Sequence, residues 1–141
     1  MRLFLDANVL FSAAVSPAGA AAGLIALAEA GACELVTSTV AVTEATRNLS
    51  AKVPAAMDRW GLVGAVVGIV PESDPRLLER VDVALEAKDR PILAAALGCR
   101  ATVLVTGDRR HFGLLFGRAI GGSVVVPPRE ALERLLTGLR S

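Results

Sequence analysis

The sequence has few of the residues on which several common kinds of site depend. Its 141 residues include no tyrosine, one tryptophan, one histidine and two cysteines. A protein that binds single strands by stacking bases on aromatic rings is therefore disfavoured. Cys33 and Cys99 have neither CxxC spacing nor a histidine placed to complete a zinc site. We interpret both as reduced thiols, although the sequence leaves a disulfide between them open.

Long hydrophobic runs are also missing. The longest stretch without a charged residue, residues 7–28, is interrupted by Asn, Ser, Pro and Gly. It lacks the run of about 18 apolar residues that a membrane-spanning helix needs. Arg2 before an apolar run is typical of a secretory signal, but Asp6 would place a costly carboxylate inside that signal. We therefore expect the N-terminus to be retained, the protein to be cytoplasmic and no membrane to be involved.

The chain has little net charge and an excess of apolar residues. About 62% of the residues are apolar when the 13 glycines are counted, against roughly 45–50% in average soluble domains. This composition excludes disorder, and the length predicts one domain with one core over residues 1–141. The net charge of +1 conceals a basic segment, because residues 88–118 carry six basic and two acidic side chains. That segment suits an anionic substrate, with a solvated surface as the alternative.

Predicted strands and helices alternate along the chain. Apolar runs predict five strands, at residues 2–6, 34–37, 66–70, 102–106 and 123–126. Start signals and helical spacing predict helices at residues 16–31, 38–49, 54–62, 89–98 and 108–115, and helices that begin at residues 74 and 127. Strands that are apolar on both faces and alternate with helices predict a three-layer α/β/α fold. Its central sheet would be mostly parallel and five-stranded.

Two of these helices carry predictions about the core, and a third has an alternative assignment. Residues 92–97 are apolar on every side of their helix and must be buried. The apolar stripe of the last helix predicts four core residues, Leu132, Leu135, Leu136 and Leu139. In the helix from residue 74 the apolar spacing also fits a strand at residues 81–85.

Four acidic residues lie where predicted strands give way to helices. They are Asp6 at the end of the first strand, Glu44 in the helix after the second, Asp89 at the start of the buried helix and Asp108 after the fourth strand. Ligands bind beyond the carboxyl ends of parallel strands, so we expect all four at one edge of the sheet. Close carboxylates without a counter-ion raise one another's pKa, so the cluster predicts a bound cation. Oxygen ligands favour Mg²⁺ or Mn²⁺, whereas a single histidine, His111, makes Zn²⁺ a poor fit.

Each acid also has an ordinary structural interpretation. Asp6 and Asp89 could cap helices, and Asp108 could be a turn residue. Glu44 could simply face solvent. Capping does not explain why all four acids lie after strands that end at the same edge of the sheet. Asn8 could hold an Asp6 oxygen or a bound water, or could serve only the turn.

Four segments together resemble the PIN domain of metal-dependent nucleases. They are LFLDANVL at residues 3–10, VTEA at 42–45, DRPILAAA at 89–96 and LVTGD at 104–108. The resemblance extends to the toxin components of prokaryotic toxin–antitoxin pairs, of which the VapC ribonucleases are relatives. It implies Mg²⁺- or Mn²⁺-dependent hydrolysis of RNA phosphodiester bonds. The implied partners are an RNA substrate, a cognate antitoxin and a second copy of the chain.

The resemblance also implies roles for individual residues. It makes Asp6, Glu44, Asp89 and Asp108 catalytic metal ligands, with Asn8 and Thr106 in support. Asp6 and Asp89 would be the principal ligands. The other two acids would complete the site or orient a bound water. One metal would activate the attacking water and a second would stabilise the leaving oxygen.

The basic residues after the last acid suggest how substrate is held. Arg109 and Arg110 would contact phosphates that flank the scissile one, and a role on the helix surface is the alternative. His111 could instead donate a proton. Trp60 is expected in the core or an interface rather than against a base.

Two other classes of protein remain as alternatives at this point. A receiver-like signalling domain also places acids at strand ends around Mg²⁺. However, it needs paired acids after the first strand and a lysine after the last, and the only lysines are Lys52 and Lys88. A catalytically silent PIN-like binding module is the second alternative, because a fold does not establish activity.

Overall fold

The computed structural model describes residues 1–140 and contains one six-stranded sheet. The strands are β1 Arg2–Leu5, β2 Glu34–Ser38, β3 Gly68–Val70, β4 Val103–Val105, β5 Ala119–Ile120 and β6 Ser123–Val126. Their order in the sheet is β3-β2-β1-β4-β6-β5, and all neighbours are parallel except β5 and β6. The predicted α/β fold with a mostly parallel sheet is confirmed, with six strands instead of five.

The additional strand comes from a tight hairpin. β5 pairs with β6 from Ile120 to Ser123, so only Gly121 and Gly122 form the loop. Both glycines have positive φ, 57° and 90°, which two-residue loops of type I′ require. A Gly-Gly pair before an apolar run is a hairpin signal, so the sequence does contain the information for this strand.

β1 lies inside the sheet and determines where the loops meet. Its Phe4 pairs with Val36 of β2 on one side and with Leu104 of β4 on the other, and all three side chains are buried. Parallel strands covered by helices on both faces are apolar at their centres, and residues 3–5, 35–36 and 103–105 of these strands are apolar and buried. The carboxyl ends of β1, β2 and β4 therefore open onto the same edge of the sheet.

Within residues 1–140, seven α-helices accompany the strands. They are α1 Ala7–Val15, α2 Ala20–Glu29, α3 Thr39–Lys52, α4 Met57–Val66, α5 Arg90–Gly98, α6 Arg109–Phe112 and α7 Pro128–Leu139. Three short 3-10 turns lie at Pro54–Ala56, Pro75–Leu78 and Gly113–Leu115. α1 packs against α2, α3 and α4, and α2 also packs against α7.

The predicted helix over residues 16–31 is wrong at its beginning. The structure instead has α1 directly after Asp6, a turn at residues 16–19, and then α2. Asp6 Oδ1 accepts the backbone N–H of Ala7 at 2.7 Å, so one residue both ends β1 and caps α1. No single helix within residues 1–140 has both the length and the apolar composition to cross a membrane. α1 and α2, which are bent by 88°, meet that test only when taken as a pair.

The segment before α5 also differs from prediction. The helix expected from residue 74 is only the 3-10 turn Pro75–Leu78, and residues 81–86 form no regular element. Asp74 Oδ1 accepts the backbone N–H of Arg76 at 2.9 Å, which caps this short turn. Beyond it the half-buried Val81, Val83 and Leu85 alternate along irregular chain and pack against the core.

The core predictions are confirmed for most of α5 and only in part for α7. Of the predicted residues 92–97 in α5, residues 92–96 are buried and Leu97 is half-buried. In α7 Leu135 is buried, but Leu136 and Leu139 are 38% and 57% exposed, so their placement in the core is wrong. The reason is that α7 packs on α2 along a narrow face. There Leu132 lies so close to Gly23 that a Cβ on the glycine would come within 3.1 Å of it.

The two cysteines are separate, half-buried thiols in the described residues. Burial raises the pKa of the Cys33 thiol, which keeps it protonated. Cys99 Sγ donates a hydrogen bond to the carbonyl of Ala96 at 3.4 Å. Both behave as small, weakly polar packing residues.

Candidate functional site

The four acidic residues line one cavity of about 370 Å³ at the carboxyl edge of the sheet. Asp6 joins β1 to α1, Glu44 projects from α3, Asp89 precedes α5, and Asp108 precedes α6. Each comes from a different segment that follows a strand, so the cavity exists only because parallel pairing brings these ends together. Asn8, Asn48, Lys52 and Lys88 also line the cavity.

Asp6 is the most enclosed of the four acids, with 7% of its surface exposed. Its Oδ1 accepts the N–H of Ala7 at 2.7 Å, and its Oδ2 accepts the Thr106 hydroxyl at 2.8 Å and Asn8 Nδ2 at 3.2 Å. Burial raises the pKa of this carboxyl, and the charge of Glu44 adds to the rise, against the hydrogen bonds, which lower it. Asp6 is therefore held rigidly but in an environment that opposes its negative charge.

Thr106 and Asn8 connect Asp6 to the loop after β4. The Thr106 hydroxyl donates to Asp6 and accepts the backbone N–H of Asp108 at 3.2 Å. Asn8 Oδ1 accepts the N–H of Gly107 at 2.7 Å, and a Cβ on that glycine would meet the same oxygen at 3.3 Å. These two side chains hold the ends of β1 and β4 at a fixed separation.

Asp89 is half enclosed and lacks a hydrogen-bond partner on one oxygen. Its side chain is 14% exposed, and Oδ2 is buried with no partner among the described residues. Its side chain makes no capping hydrogen bond to α5, so the capping alternative does not account for it. Burial raises the pKa of this carboxyl, and the charges of Asp108 and Glu86 add to the rise, while His111 and Lys88 oppose it.

Asp108 is in the opposite situation, because His111 bonds to both of its oxygens. The backbone N–H of His111 donates to Oδ1 at 3.0 Å, and His111 Nδ1 lies 2.7 Å from Oδ2. Burial raises the pKa of the Asp108 carboxyl, but these hydrogen bonds outweigh burial and leave that pKa below its usual value. Asp108 also caps its helix, α6, whereas the structural interpretation of the sequence had it as a turn residue.

The sequence interpretation missed Glu86 beside the cavity and considered its neighbour there, His111, as a proton donor. Together with Asp89 they offer ligand atoms that all lie within 4.8 Å of one another. His111 Nε2 is 3.7 Å from Glu86 Oε2, and His111 Nδ1 is 3.9 Å from Asp89 Oδ2. The i, i+3 spacing of Asp108 and His111 is a usable signal for their contact. Glu86 reaches this position through irregular chain that no pattern predicts.

The donor set fits a hard divalent cation. Asp6 is a buried carboxylate with a raised pKa, and Asp89 Oδ2 is a buried oxygen without a hydrogen-bond partner among the described residues. Both features are expected where a cation completes the electrostatics. The acids that line the cavity offer only oxygen atoms, which Mg²⁺ and Mn²⁺ prefer.

The two arginines proposed from the sequence as phosphate contacts lie outside the acidic cavity. Arg109 lines a larger neighbouring cavity of about 680 Å³, together with Gly107, Phe116 and Arg129. Its guanidinium lies 5.9 Å from the centre of the Phe116 ring. Arg110 is exposed on α6 and lines neither of these two cavities.

Trp60 lies away from both cavities. It is half-buried and packs against the core, and its Nε1 donates a hydrogen bond to the Thr46 hydroxyl at 3.1 Å. It lines a small apolar cavity of about 210 Å³ with Val42 and Ile69. This position agrees with the expectation that Trp60 serves packing.

Two solved structures have similar folds. One is the crystal structure of VapBC2 from Rickettsia felis bound to a DNA fragment from their promoter. The match has a TM-score of 0.63 and 17% identity, and covers 90% of this chain and 98% of that one. The other is the crystal structure of PAE2754 from Pyrobaculum aerophilum, with a TM-score of 0.65 and 19% identity, covering 97% and 96% of the two chains. No curated protein sequence matches the chain significantly.

A comparison with protein families matches the PIN domain over residues 2–110. This range includes all four acidic residues, both of the residues that connect β1 to β4, and the arginines of α6. This match favours the PIN domain over the receiver-like alternative. The chain belongs to the PIN domain family.

Proposed function

We propose that this protein is a divalent-metal-dependent ribonuclease that hydrolyses RNA phosphodiester bonds as the toxin of a toxin–antitoxin pair. Asp6, Glu44, Asp89 and Asp108 hold Mg²⁺ or Mn²⁺. The observation that carries this proposal is that four carboxylates from four separate segments of the chain line one cavity. Membership of the PIN domain family, whose members are generally nucleases, supports the same conclusion.

The side chains of the cavity have two kinds of role: some supply negative charge for the metal, and others hold those charged groups in a fixed direction. A bound divalent ion supplies Lewis-acid chemistry, because it lowers the pKa of water and neutralises charge on the scissile phosphate. Asp6 is fixed in direction by Thr106, Asn8 and the start of α1, so it presents its charge in one place. Glu44 is exposed at the rim and can adjust to the substrate.

The larger cavity provides a path for RNA on one side of the acids. Gly107 lies in the wall of this cavity, and its neighbour Asp108 lines the acidic one, so the two are adjacent. In the proposal Arg109 and Arg129 contact phosphates that flank the scissile one, and Arg110 contacts RNA from the exposed side of α6. Charge contacts of this kind position the backbone without reading its sequence.

The direct test is cleavage of a mixed-sequence RNA by the purified protein. We expect cleavage with Mn²⁺ or Mg²⁺ and none with a chelator, with restoration when the metal is added back. Cleavage that continues undiminished in the chelator would overturn the metal-dependent mechanism. A matched single-stranded DNA tests whether the activity is specific to RNA.

Metal binding also predicts a change in stability. A ligand that binds only the folded state adds about 2.7 kcal/mol to the free energy of unfolding at 100 times its dissociation constant. We expect Mn²⁺ at millimolar concentration to raise the thermal unfolding midpoint, because it relieves the repulsion between the cavity carboxylates. An unchanged midpoint would support the catalytically silent binding module instead. Ca²⁺ at the same concentration is the control for ionic strength and for the size of the ion.

Replacing Thr106 by valine tests the connection between β1 and β4. The variant removes one hydrogen bond from Asp6 and leaves the N–H of Asp108 without its acceptor. We expect Mn²⁺ affinity and RNA cleavage to fall about 10–100-fold, as is typical when a partner of a metal ligand is lost. The unfolding free energy should fall by about 1–3 kcal/mol. The same change at Thr43, which is exposed on α3, is the control and should alter neither quantity.

The proposal includes a protein partner. The VapBC2 structure, a similar fold, is a complex with promoter DNA, which supports an antitoxin as the partner of this chain. If a small DNA-binding protein is encoded beside this one, we expect the two to co-purify and the complex to cleave RNA more slowly than the free chain. A second copy of the chain is also proposed as a partner, and light scattering during gel filtration tests it.

A further inference from the structure

His111 lies behind the acidic cavity rather than in its wall. The side chains that line the cavity include Asp89 and Asp108 but not His111. The imidazole is 17% exposed and is surrounded by acids from three segments: Glu86 in the irregular chain, Asp89 before α5 and Asp108 before α6. Its position suits a residue that acts through its neighbours better than one that reaches a substrate.

The contacts of His111 assign separate roles to its two ring nitrogens. Nδ1 is 2.7 Å from Asp108 Oδ2, and an ionised carboxylate can only accept, so Nδ1 carries the hydrogen. The backbone N–H of the same residue donates to the other oxygen of Asp108 at 3.0 Å. Asp108 is therefore held at both oxygens by one residue. Nε2 has no contact as short, since Glu86 Oε2 is 3.7 Å away.

We propose that His111 is a positioning residue that fixes the Asp108 carboxylate toward the metal cavity through its Nδ1–H group. The inference rests on the proposed function, because it assigns Asp108 to the metal site. It excludes two other roles for His111. The first is that of a proton donor, for which His111 would need to reach the cavity. The second is that of a metal ligand, in which His111 would act through Nε2 together with Glu86.

Substitutions that mimic one ring nitrogen at a time separate these roles. Asparagine places an amide N–H near the position of Nδ1, whereas glutamine places one near Nε2. We would measure the dissociation constant for Mn²⁺ without RNA, by calorimetry, and kcat and KM for RNA cleavage. The variants are H111A, H111N and H111Q, with E86Q to test the ligand role and L114A as an exposed control nearby on the chain.

We expect H111A and H111Q to weaken Mn²⁺ binding about 10–100-fold, and H111N to recover binding to within about threefold of the original chain. E86Q and L114A should bind Mn²⁺ as the original chain does. Unchanged Mn²⁺ binding in H111A would overturn the proposal. An H111N variant with normal Mn²⁺ binding but a low kcat would also overturn it, because that result would indicate proton transfer by His111. An E86Q variant that binds Mn²⁺ as weakly as H111A would overturn it as well, because it would indicate that Glu86 and His111 are metal ligands.

The design separates this inference from the proposed function. If the original chain binds Mn²⁺ but cleaves no RNA, the ribonuclease proposal fails while the binding series still tests His111. If the original chain cleaves RNA and H111A binds Mn²⁺ normally, only the role of His111 fails. H111N and H111Q carry the same amide group and differ by one methylene, so their comparison decides the question even if H111A folds poorly. The thermal unfolding midpoint without metal checks the folding of every variant.

Discussion

Asn substitution at Asp89 or Asp6 is expected to abolish RNA cleavage, with a loss of at least about 100-fold in kcat/KM. Loss of a residue that supports a metal ligand typically lowers metal affinity or activity about 10–100-fold. Removing the charge of a ligand itself should therefore lower activity by more than that. Both substitutions retain the shape of the side chain. Cleavage within threefold of the original chain by either variant at every Mn²⁺ concentration would contradict the assignment.

The control for these two variants is D58N, the same change at an exposed aspartate of α4. We expect it to cleave RNA at the original rate. Cleavage by all variants would be measured under single-turnover conditions. The Mn²⁺ concentration would be varied up to saturation. If added Mn²⁺ restores D89N fully, Asp89 contributes affinity for the ion but not its placement.

D89N should also change the pH dependence of stability in the metal-free protein. The pKa of Asp89 in the folded chain is raised above its ordinary value of 3.8, chiefly by burial. The protonated group therefore stabilises the folded state at low pH, and this contribution is lost as the pH rises through the folded-state pKa. Asparagine does not ionise. We expect D89N to unfold at a higher temperature than the original chain at neutral pH, with the difference shrinking below about pH 4.

The second large effect is expected in the sheet, from the substitution of Phe4 by alanine. Phe4 is fully buried in β1 and pairs with both neighbouring strands. Truncating a buried phenylalanine costs about 3–5 kcal/mol of unfolding free energy, through lost burial and the cavity left behind. For a domain of this size that corresponds to roughly 10–20 °C in the thermal unfolding midpoint.

The exposed leucine that follows α6 provides the comparison for this variant. Leu114 is 88% exposed, and L114A should change the unfolding free energy by no more than about 0.5 kcal/mol. Denaturant unfolding followed by circular dichroism measures both variants. A loss below about 1 kcal/mol for F4A would mean that the sheet near Asp6 repacks, and it would contradict the buried position described for Phe4.

The sequence was most informative where one local signal served both the fold and the site. The apolar strands predict a parallel sheet, and the topology of such a sheet brings its carboxyl ends together. For this reason the order of the four acids along the chain was enough to predict that they meet. The burial predicted for residues 92–97 has a similar reason, because a helix that is apolar all around has no face for solvent, and only Leu97 is less than fully buried.

The sequence was least informative where tertiary contacts override local preference. α1 was missed because Asp6 ends a strand and starts a helix at the same residue, which leaves no spacer to mark the boundary. Leu136 has the spacing of a core residue, but α7 packs only along one narrow face. Glu86 is brought beside His111 by irregular chain, whose path depends on the packing of Val81 and Leu85 and not on any periodicity.

The bond from the Thr106 hydroxyl to Asp6 joins residues 100 positions apart in the chain. This separation has a consequence for the order of synthesis. The N-terminal part can form α1 and part of the sheet early. It cannot restrain Asp6 in its final direction until β4 and the residues after it have been made and have paired with β1. We therefore expect a nascent or C-terminally truncated chain that ends before residue 103 to bind no divalent metal, however well its remaining helices form.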